Sequence, residues 1–349
     1  MRRSPYRFAL LGLTGLGLLL SACSSSGTAA TTTIGAASTT GSVSTSTIPS
    51  GTVLRVGDQL NYLKTVLSVS NQDQGFPYQV QYSQFVGGPP MLQAFQGGAL
   101  DTGFVGSTPL IFAQAAGQPL AAVAAWVSKG SAYGLVTGPG VTSVKGWSTL
   151  KGKRVAYQVG TAGEAVLLEG LNSVGLGLSD VTTVNLPQTQ VSAALQGGSV
   201  DAGISTEPLT SVYVATNPTA KQVVTANQIT DRSSFLLAST SALTDKATSA
   251  ALADYITRLV KAFAYLRAHP GAATQAVFVG QYHLTPARAA QVEAEVGGAS
   301  FVPIPGDIAP AQQKLADLFL AAGQIPHKVD VTSEFDPRFN DLIAKVQGT

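Results

Sequence analysis

Stretches of apolar residues at strand-like and helix-like spacing alternate through most of the chain after residue 50. Runs rich in β-branched and aromatic residues between Gly, Pro and polar turns predict strands, and apolar residues at every third or fourth position predict helices. In the first part of the chain the predicted strands are 53–57, 78–85 and 100–104, and the predicted helices are 64–70, 91–96 and one that begins at Pro109. Strands that alternate with helices in this way predict an α/β fold with covered sheets.

The same pattern occurs a second time, and parts of it are repeated almost letter for letter. Residues 94–103 read AFQGGALDTG, and residues 194–203, 100 positions further on, read ALQGGSVDAG. Two shorter sequences are also repeated, each at an offset of 99 positions. RVGDQ at 55–59 matches RVAYQ at 154–158, and STP at 107–109 matches TEP at 206–208. Three echoes in one order at a nearly constant offset predict two structurally related lobes, because solenoid repeats are much shorter, ~20–50 residues.

The last third of the chain has a different pattern. Amphipathic helices are predicted at 247–268, 286–296 and 309–322, and we expect them to pack against the first lobe. The chain would then cross between lobes near 131–139 and near 233–240, two β-prone stretches that would form a hinge. The predicted division is lobe I at 51–136 and 239–349, and lobe II at 137–238.

The N-terminal segment has the character of an export signal. Residues 1–7 are basic, residues 8–20 are an apolar run too short to span a bilayer, and Leu20-Ser21-Ala22-Cys23 follows. These four residues resemble the lipobox of bacterial lipoproteins, in which the cysteine sulfur receives a diacylglycerol. We therefore expect a lipoprotein signal peptide at 1–22, lipid attachment at Cys23 and a Ser/Thr/Ala/Gly linker at 23–50. The alternative is an ordinary secretory signal with an incidental cysteine.

Charge and cysteine content exclude several classes of function. The chain has 21 basic and 19 acidic residues, and removal of residues 1–22 takes away three arginines and leaves 18 basic residues. Such a balance gives no electrostatic case for nucleic-acid binding. Cys23 is the single cysteine, which excludes an intramolecular disulfide and a cysteine-based metal site. His269, His283 and His327 show no ligand spacing, so we expect no metal and no cofactor.

Residues 85–120 carry a resemblance to a known family. Their sequence, FVGGPPMLQAFQGGALDTGFVGSTPLIFAQAAGQPL, is similar to the substrate-binding proteins of ABC importers, and among these it most resembles the aliphatic sulfonate, nitrate and taurine group. The resemblance continues through LKGKRVAYQ at 150–158 and the second Gln-Gly-Gly to residues 316–330. It implies a two-lobed periplasmic-binding-protein fold of type II, with two chain crossovers as the hinge.

The resemblance also implies how such a protein works. It would be a monomer outside the cytoplasm, lipid-anchored to the membrane, that closes on one small molecule and presents it to an ABC permease and its ATPase. Enzymes on this fold include aromatic desulfinases with a catalytic cysteine, which this chain lacks beyond Cys23. Asp101 and Asp201 occupy matching positions of the repeat, so we expect a structural role for them. No catalytic residue is predicted.

Candidate ligand-binding residues follow from the predicted strands and helices. Ligands of open α/β sheets bind beyond the carboxyl ends of strands, beside helix N-termini that carry a partial charge of about +0.5. A sulfonate could be held there without Arg or Lys. The candidates, on loops that the family also uses, are Asp58, Gln59, Gly87, Gly88, Ser107 and Thr108 in lobe I, and Gln158, Gly160, Thr161, Gly163, Glu164, Thr206 and Glu207 in lobe II. Trp126 is expected mainly in the core, and Tyr62, Tyr157 and Tyr213 could form part of the cleft wall.

Three acids among these candidates leave the ligand open. Asp58, Glu164 and Glu207 would each repel an anion by ~1 kcal/mol or more, which favours a zwitterion such as taurine over a simple alkane sulfonate. Alternatively, Glu164 and Glu207 stabilise only their own helices. The expected function is binding of a small sulfonate or related oxyanion or zwitterion. The alternatives are a nitrogen-containing solute (a thiamine precursor, nitrate or a polyamine) and a ligand sensor that feeds a receptor.

Overall fold

The computed structural model describes residues 48–226 and 232–348. The predicted signal peptide, Cys23 and nearly all of the predicted linker lie outside the described residues. The first part of the chain forms β1 (Val53–Gln59), α1 (Tyr62–Val69), β2 (Gln79–Phe85), α2 (Gly88–Gln96), β3 (Thr102–Gly106), α3 (Ser107–Ala115) and β4 (Leu120–Val127).

The second part of the chain repeats this alternation at an offset close to 100 residues. Its elements are β5 (Tyr133–Thr137), β6 (Arg154–Tyr157), α4 (Ala162–Asn172), β7 (Thr182–Asn185), α5 (Gln188–Gln196), β8 (Ala202–Thr206), α6 (Leu209–Thr216) and β9 (Gln222–Thr225). The last part contains β10 (Ser233–Ser239), α7 (Thr240–Thr244), α8 (Lys246–Ala268), α9 (Pro270–Ala273), a π-helix (Thr274–Gln281), α10 (Pro286–Val296), β11 (Ser300–Val302), α11 (Ile308–Ala321) and α12 (Asn340–Gln347).

The strands form two separate sheets. The first has the order β11-β4-β10-β3-β1-β2 and the second β7-β6-β8-β5-β9. In the first sheet β1 is parallel to β2 and β3, and β10, the strand after the second crossover, is antiparallel to β3. In the second sheet β6 is parallel to β7 and β8, and β5, the strand after the first crossover, is antiparallel to β8. The chain therefore changes sheet between Val127 and Tyr133 and between Thr225 and Ser233. The predicted lobe boundaries, after residues 136 and 238, lie further along the chain, because the β-prone stretches taken for the crossovers become strands β5 and β10.

The first sheet is covered on both faces. Alternate residues of β10 show this, because Leu236 packs with α1 and α8 on one face while Phe235 packs with α2 and α3 on the other. Both side chains are fully buried. The second sheet is covered by α4 on one face and by α5 and Tyr213 of α6 on the other. Apolar side chains on both faces of a strand explain why these strands lack a clear alternation of polar and apolar residues.

The echoes have a direct structural meaning. The carboxylate of Asp101 accepts from the backbone N–H of Arg55 at 2.8 Å and binds the Arg55 guanidinium at 2.5 Å. Asp201 makes the same contacts with Arg154, at 2.8 and 2.9 Å. The expected structural role of both aspartates is confirmed, and it is the same clasp between neighbouring strands in each lobe.

The second Gly of each Gly-Gly pair also has one role in both lobes. Gly98 and Gly198 follow α2 and α5 with φ of 69° and 67°, in the left-handed region where glycine avoids a steric penalty. The helix ends therefore turn back toward the next strand at the same point of both lobes.

The C-terminal helices pack mainly on the first lobe, but α10 and α11 also contact the second. Buried Ile111 of α3, Leu168 of α4 and Phe319 of α11 belong to one apolar cluster, here called the outer seam, which joins the lobes. The other contact is made by α10, whose buried Val292 shares a cluster with Val212 of α6. The expected packing on the first lobe is present, and it is accompanied by contacts with the second.

Candidate functional site

A cavity of about 340 Å³ lies between the two sheets. Its walls include the last residues of three strands, Gln59 of β1, Gly106 of β3 and Thr206 of β8. The segment 130–133 and Ser233, which flank the two crossovers, complete the side next to the hinge. The cavity thus lies beyond the carboxyl ends of strands, the position in which α/β sheets bind ligands.

The predicted binding residues divide into a group that lines this cavity and a group just behind it. Those in the lining are Gln59, Gly87, Gly88, Thr161, Thr206 and Glu207. Those outside the lining are Asp58, Ser107, Thr108, Gln158, Gly160, Gly163 and Glu164. The loops of the two lobes touch: a Cβ added to Gly160 would lie 3.1 Å from Pro89 Cγ, and one added to Gly87 would lie 3.4 Å from Gln158 Oε1. The structure is therefore a closed form.

Asp58 is engaged within its own lobe. Its side chain is fully buried, and its carboxylate oxygens accept from the backbone N–H groups of Leu63 and Lys64 at 2.9 and 3.0 Å. Burial raises the pKa of Asp58, while these hydrogen bonds oppose the rise. Asp58 therefore caps the start of α1 rather than facing the cavity.

The first turn of α4 is capped by its own residues. Thr161 Oγ1 accepts from Gly163 N–H at 3.2 Å, and Glu164 Oε2 accepts from Gly160 N–H at 2.7 Å. Burial raises the pKa of Glu164, whose other oxygen, Oε1, has no hydrogen-bond partner among the described residues. This geometry favours the interpretation that Glu164 stabilises its own helix.

Glu207 is paired with Arg288, a residue that no sequence motif singles out. Its Oε2 accepts from the Ser211 hydroxyl at 2.5 Å, and its Oε1 lies 3.0 Å from Nη2 of Arg288 on α10. Arg288 Nε also donates to Ser211 Oγ at 2.8 Å. Arg288 is 81 residues away in sequence, so no local pattern signals this ion pair. The carboxylate expected to face an amine is thus already neutralised by the protein.

Helices α2 and α3 lack such caps. Their N-cap residues are the cavity-lining glycines Gly87 and Gly106, and neither helix has a side-chain hydrogen bond at its N-cap. A Cβ added to Gly88 would lie 2.3 Å from Pro109 Cγ, so the two helix starts are in contact. Thr108 is fully buried, and its hydroxyl has no partner among the described residues. Both first turns contain prolines, which carry no backbone N–H, so the donors that remain there are the N–H groups of Gly88, Ser107 and Thr108. Together with the two helix dipoles, these donors give this end of the cavity a positive potential.

An aromatic wall extends from this end of the cavity. Ring centroids are 5.7 Å apart for Phe104 and Tyr62, 6.1 Å for Tyr62 and Phe263, and 5.3 Å for Phe263 and Trp126. All four rings line the cavity. Phe263 comes from α8, and its helical periodicity predicted only core packing. Tyr157 and Tyr213, suggested by the sequence as wall residues, are instead buried in the clusters of lobe II.

Three charged residues line the cavity besides Glu207, namely Arg232, Arg267 and Glu293. The Arg232 guanidinium donates to the backbone oxygen of Lys129, and Arg267 Nη1 donates to that of Ala299 at 2.9 Å. Glu293 is half-buried on α10, and burial raises its pKa. Sequence reasoning missed these three residues because they lie outside the loops that follow the repeated strands.

Within 48–226 and 232–348, no group of three or more His, Cys, Asp or Glu side chains is arranged to hold a metal ion. In the same ranges, no helix combines the length and apolar character needed to cross a bilayer.

Similarity to known proteins agrees with this geometry. A protein of Escherichia coli strain K12 named as an aliphatic sulfonates-binding protein is 34% identical over 158 residues, 44% of this chain and 49% of that protein. A Bacillus subtilis strain 168 protein of the same name is 30% identical over 135 residues, 38% of this chain and 40% of that protein. The matched stretches thus span about half or less of these relatives.

Similarity to a solved structure covers more of the chain. The alkanesulfonate-binding protein from Xanthomonas axonopodis pv. citri, bound to MOPS, superposes with a TM-score of 0.74 at 27% identity, over 82% of this chain and 99% of that one. The two-lobed periplasmic-binding-protein fold is thereby confirmed. A sequence model described as NMT1/THI5 like matches residues 80–273, more than half of the chain. The chain belongs to the NMT1/THI5-like family.

Proposed function

We propose that this protein is an extracytoplasmic solute-binding protein that captures a small organosulfonate between its lobes for an ABC importer. The observation that carries the proposal is the pair of uncapped helix starts, α2 and α3, at one end of a closed cavity with an aromatic wall. Backbone N–H groups at helix starts bind oxyanions, and an apolar wall suits an alkyl or aryl tail.

The acids of the cleft fit an anionic ligand better than the sequence suggested. Asp58, Glu164 and Glu207 all hold protein groups, so they do not stand as three free carboxylates against a sulfonate. The repulsion that spoke against a simple alkane sulfonate is therefore reduced. The names of the E. coli and B. subtilis relatives, and the sulfonate MOPS in the Xanthomonas structure, support the same ligand class.

Closure would couple binding to transport. A ligand that contacts Gly88 in lobe I and Thr161 in lobe II binds the closed form best and shifts the population toward it. The closed lobes would then form the surface that an ABC permease and its ATPase recognise. The same proposal includes the lipid anchor at Cys23, which would hold the protein at the outer side of the cell membrane.

The head group of the ligand can be tested with three molecules that share one tail. Hexane-1-sulfonate, hexanoate and hexylammonium are titrated separately by calorimetry into the protein without residues 1–22. We expect binding of hexane-1-sulfonate, weaker binding of hexanoate and none of hexylammonium. At a concentration of 100 times its dissociation constant, a true ligand adds about 2.7 kcal/mol to the free energy of unfolding. Binding of hexylammonium alone would overturn the proposal in favour of a cationic solute.

A further inference from the structure

Glu293 differs from the other acids of the cleft. Among the described residues its carboxylate makes no hydrogen bond and no ion pair, whereas Asp58, Glu164 and Glu207 each have protein partners. It lines the cavity, and it is half-buried. A carboxylate that is partly withdrawn from water gains from a cationic partner. No described side chain supplies one, which leaves the carboxylate available to a cationic group of a ligand.

The surroundings of Glu293 also suit a cation. Burial raises the pKa of the Tyr62 hydroxyl, and the negative charge of Glu293 raises it further. Tyr62, Phe263 and Phe278 line the same cavity. Aromatic faces attract cations, most strongly where water is excluded.

The protein's own cations near Glu293 are occupied elsewhere. Arg267 donates to the Ala299 carbonyl, and Arg232 donates to that of Lys129. Neither guanidinium forms an ion pair with Glu293. Both arginines raise the positive potential of the cavity and assist an anionic head group, while the Glu293 carboxylate keeps its capacity for a ligand cation.

Glu293 and the anion end belong to different parts of the cavity wall. Glu293 comes from α10, and the anion end is formed by the starts of α2 and α3. Phe104 lies two residues before Gly106 on β3, and its ring is 5.7 Å from that of Tyr62, so aromatic rings line the cavity beside the anion end. A ligand that reaches both sites carries its two charges at opposite ends of one molecule.

We propose that Glu293 forms a cation subsite, and that the ligands bound best are zwitterionic sulfonates with an alkylated ammonium group. This inference rests on the proposed sulfonate site and adds the partner for the opposite charge. In this role Glu293 replaces Glu207, the acid that the sequence predicted to face an amine. Glu207 instead pairs with Arg288.

A pair of nearly isosteric probes tests the subsite. 3-(Trimethylammonio)propane-1-sulfonate carries a cationic end, and 3-(trimethylsilyl)propane-1-sulfonate has the same shape without the charge. Wild-type protein and Glu293→Gln are titrated with both by calorimetry. We expect Glu293→Gln to weaken binding of the ammonio probe about tenfold, equivalent to 1.4 kcal/mol, and to leave the silyl probe unchanged or bound more tightly.

The control is Glu295→Gln on the same helix, since Glu295 faces Gln291 outside the cavity lining and should change neither affinity. If Glu293→Gln shifts both probes equally, or neither, the cation subsite is wrong while the sulfonate site stands. If neither probe nor hexane-1-sulfonate binds wild-type protein, the proposed function itself fails. Circular dichroism of both variants establishes that any loss of binding occurs in folded protein.

Discussion

The two lobes share a repeat but treat their helix starts differently. In lobe II the starts of α4, α5 and α6 are hydrogen-bonded by side chains, those of Thr161, Gln158 and Glu207. Of the three equivalent helices in lobe I, α1 is closed in this way by Asp58, and the starts of α2 and α3 remain uncapped. Both lobes thus contain the Arg–Asp clasp between strands, but the pair of uncapped helix starts that could bind an anion belongs to lobe I.

The echoed positions before the prolines show the difference most directly. Thr108 of lobe I has a fully buried hydroxyl with no partner among the described residues, whereas its counterpart Glu207 is bound by Ser211 and Arg288. The Thr108 hydroxyl makes no hydrogen bond within the described residues, whereas the Glu207 carboxylate is already bound by protein groups. We therefore expect ligand binding to depend more on the helix starts of lobe I, and closure to depend more on those of lobe II.

The largest expected effect concerns the clasp that the lobes share. Asp101→Ala should lower the free energy of unfolding by about 2–4 kcal/mol, because it leaves Arg55 and its backbone N–H without a buried partner. Asp201→Ala should lower the free energy of unfolding by less, because the Asp201 side chain is 26% exposed, whereas that of Asp101 is 7% exposed. Urea unfolding measures both. Equal losses would show that burial does not distinguish the two clasps.

The next effect concerns the open helix starts of lobe I. Gly88→Ala should weaken binding of hexane-1-sulfonate at least tenfold, because its Cβ would lie 2.3 Å from Pro109 Cγ and would force the starts of α2 and α3 apart. Gly97→Ala, at the other end of α2, is the matched control, since its nearest neighbour would be an ordinary 3.5 Å away. Calorimetric titration measures both variants. Unchanged affinity in Gly88→Ala would place the anion elsewhere in the cavity.

Substitutions at the echoed positions should change stability in opposite directions. Thr108→Val removes an unpartnered buried hydroxyl and should raise the free energy of unfolding by up to about 1 kcal/mol. Glu207→Gln weakens the pairing with Arg288 and should lower the free energy of unfolding by about 1 kcal/mol. Thermal unfolding without ligand measures both variants. Changes of the same sign would remove the proposed contrast between the lobes.

The smallest expected effect is a pH dependence in lobe II. Burial raises the pKa of Glu164 in the folded protein, so the folded state favours the protonated form. The stability linked to this group is complete below the pKa of the unfolded chain and is lost as pH rises through the higher folded pKa. Glu164→Gln should therefore gain stability relative to wild type between pH 4 and pH 7, by less than about 1 kcal/mol. A difference that is constant across this range would contradict the assignment.

The sequence was sufficient for the parts of the molecule that depend on local pattern. The α/β class, the two related lobes and the positions of β1, α2 and α10 follow from periodicity, turn residues and the echoes. A structural role for Asp101 and Asp201 follows from their equivalent positions, although their arginine partners do not. These features depend on neighbouring strands at a constant offset, which a repeated sequence reveals.

Local sequence pattern could not predict which groups pair with the acids of the cleft. Arg288, which neutralises Glu207, lies on a helix that packs on both lobes, and nothing near it in sequence points to that contact. Glu293 and Phe263 reach the cavity from helices whose amphipathic pattern predicts only a buried face. Long-range packing decides which charges are paired, and so it decides the character of the site.

The outer seam has a consequence for the thermodynamics of binding. Ile111, Leu168 and Phe319 bury apolar surface between lobes at a distance from the bound solute, so separating the lobes would return that surface to water. Ligand-driven closure should therefore show a more negative change in heat capacity than the solute's own apolar area accounts for. Titrations at several temperatures would reveal how much hydrophobic association between the lobes accompanies each binding event.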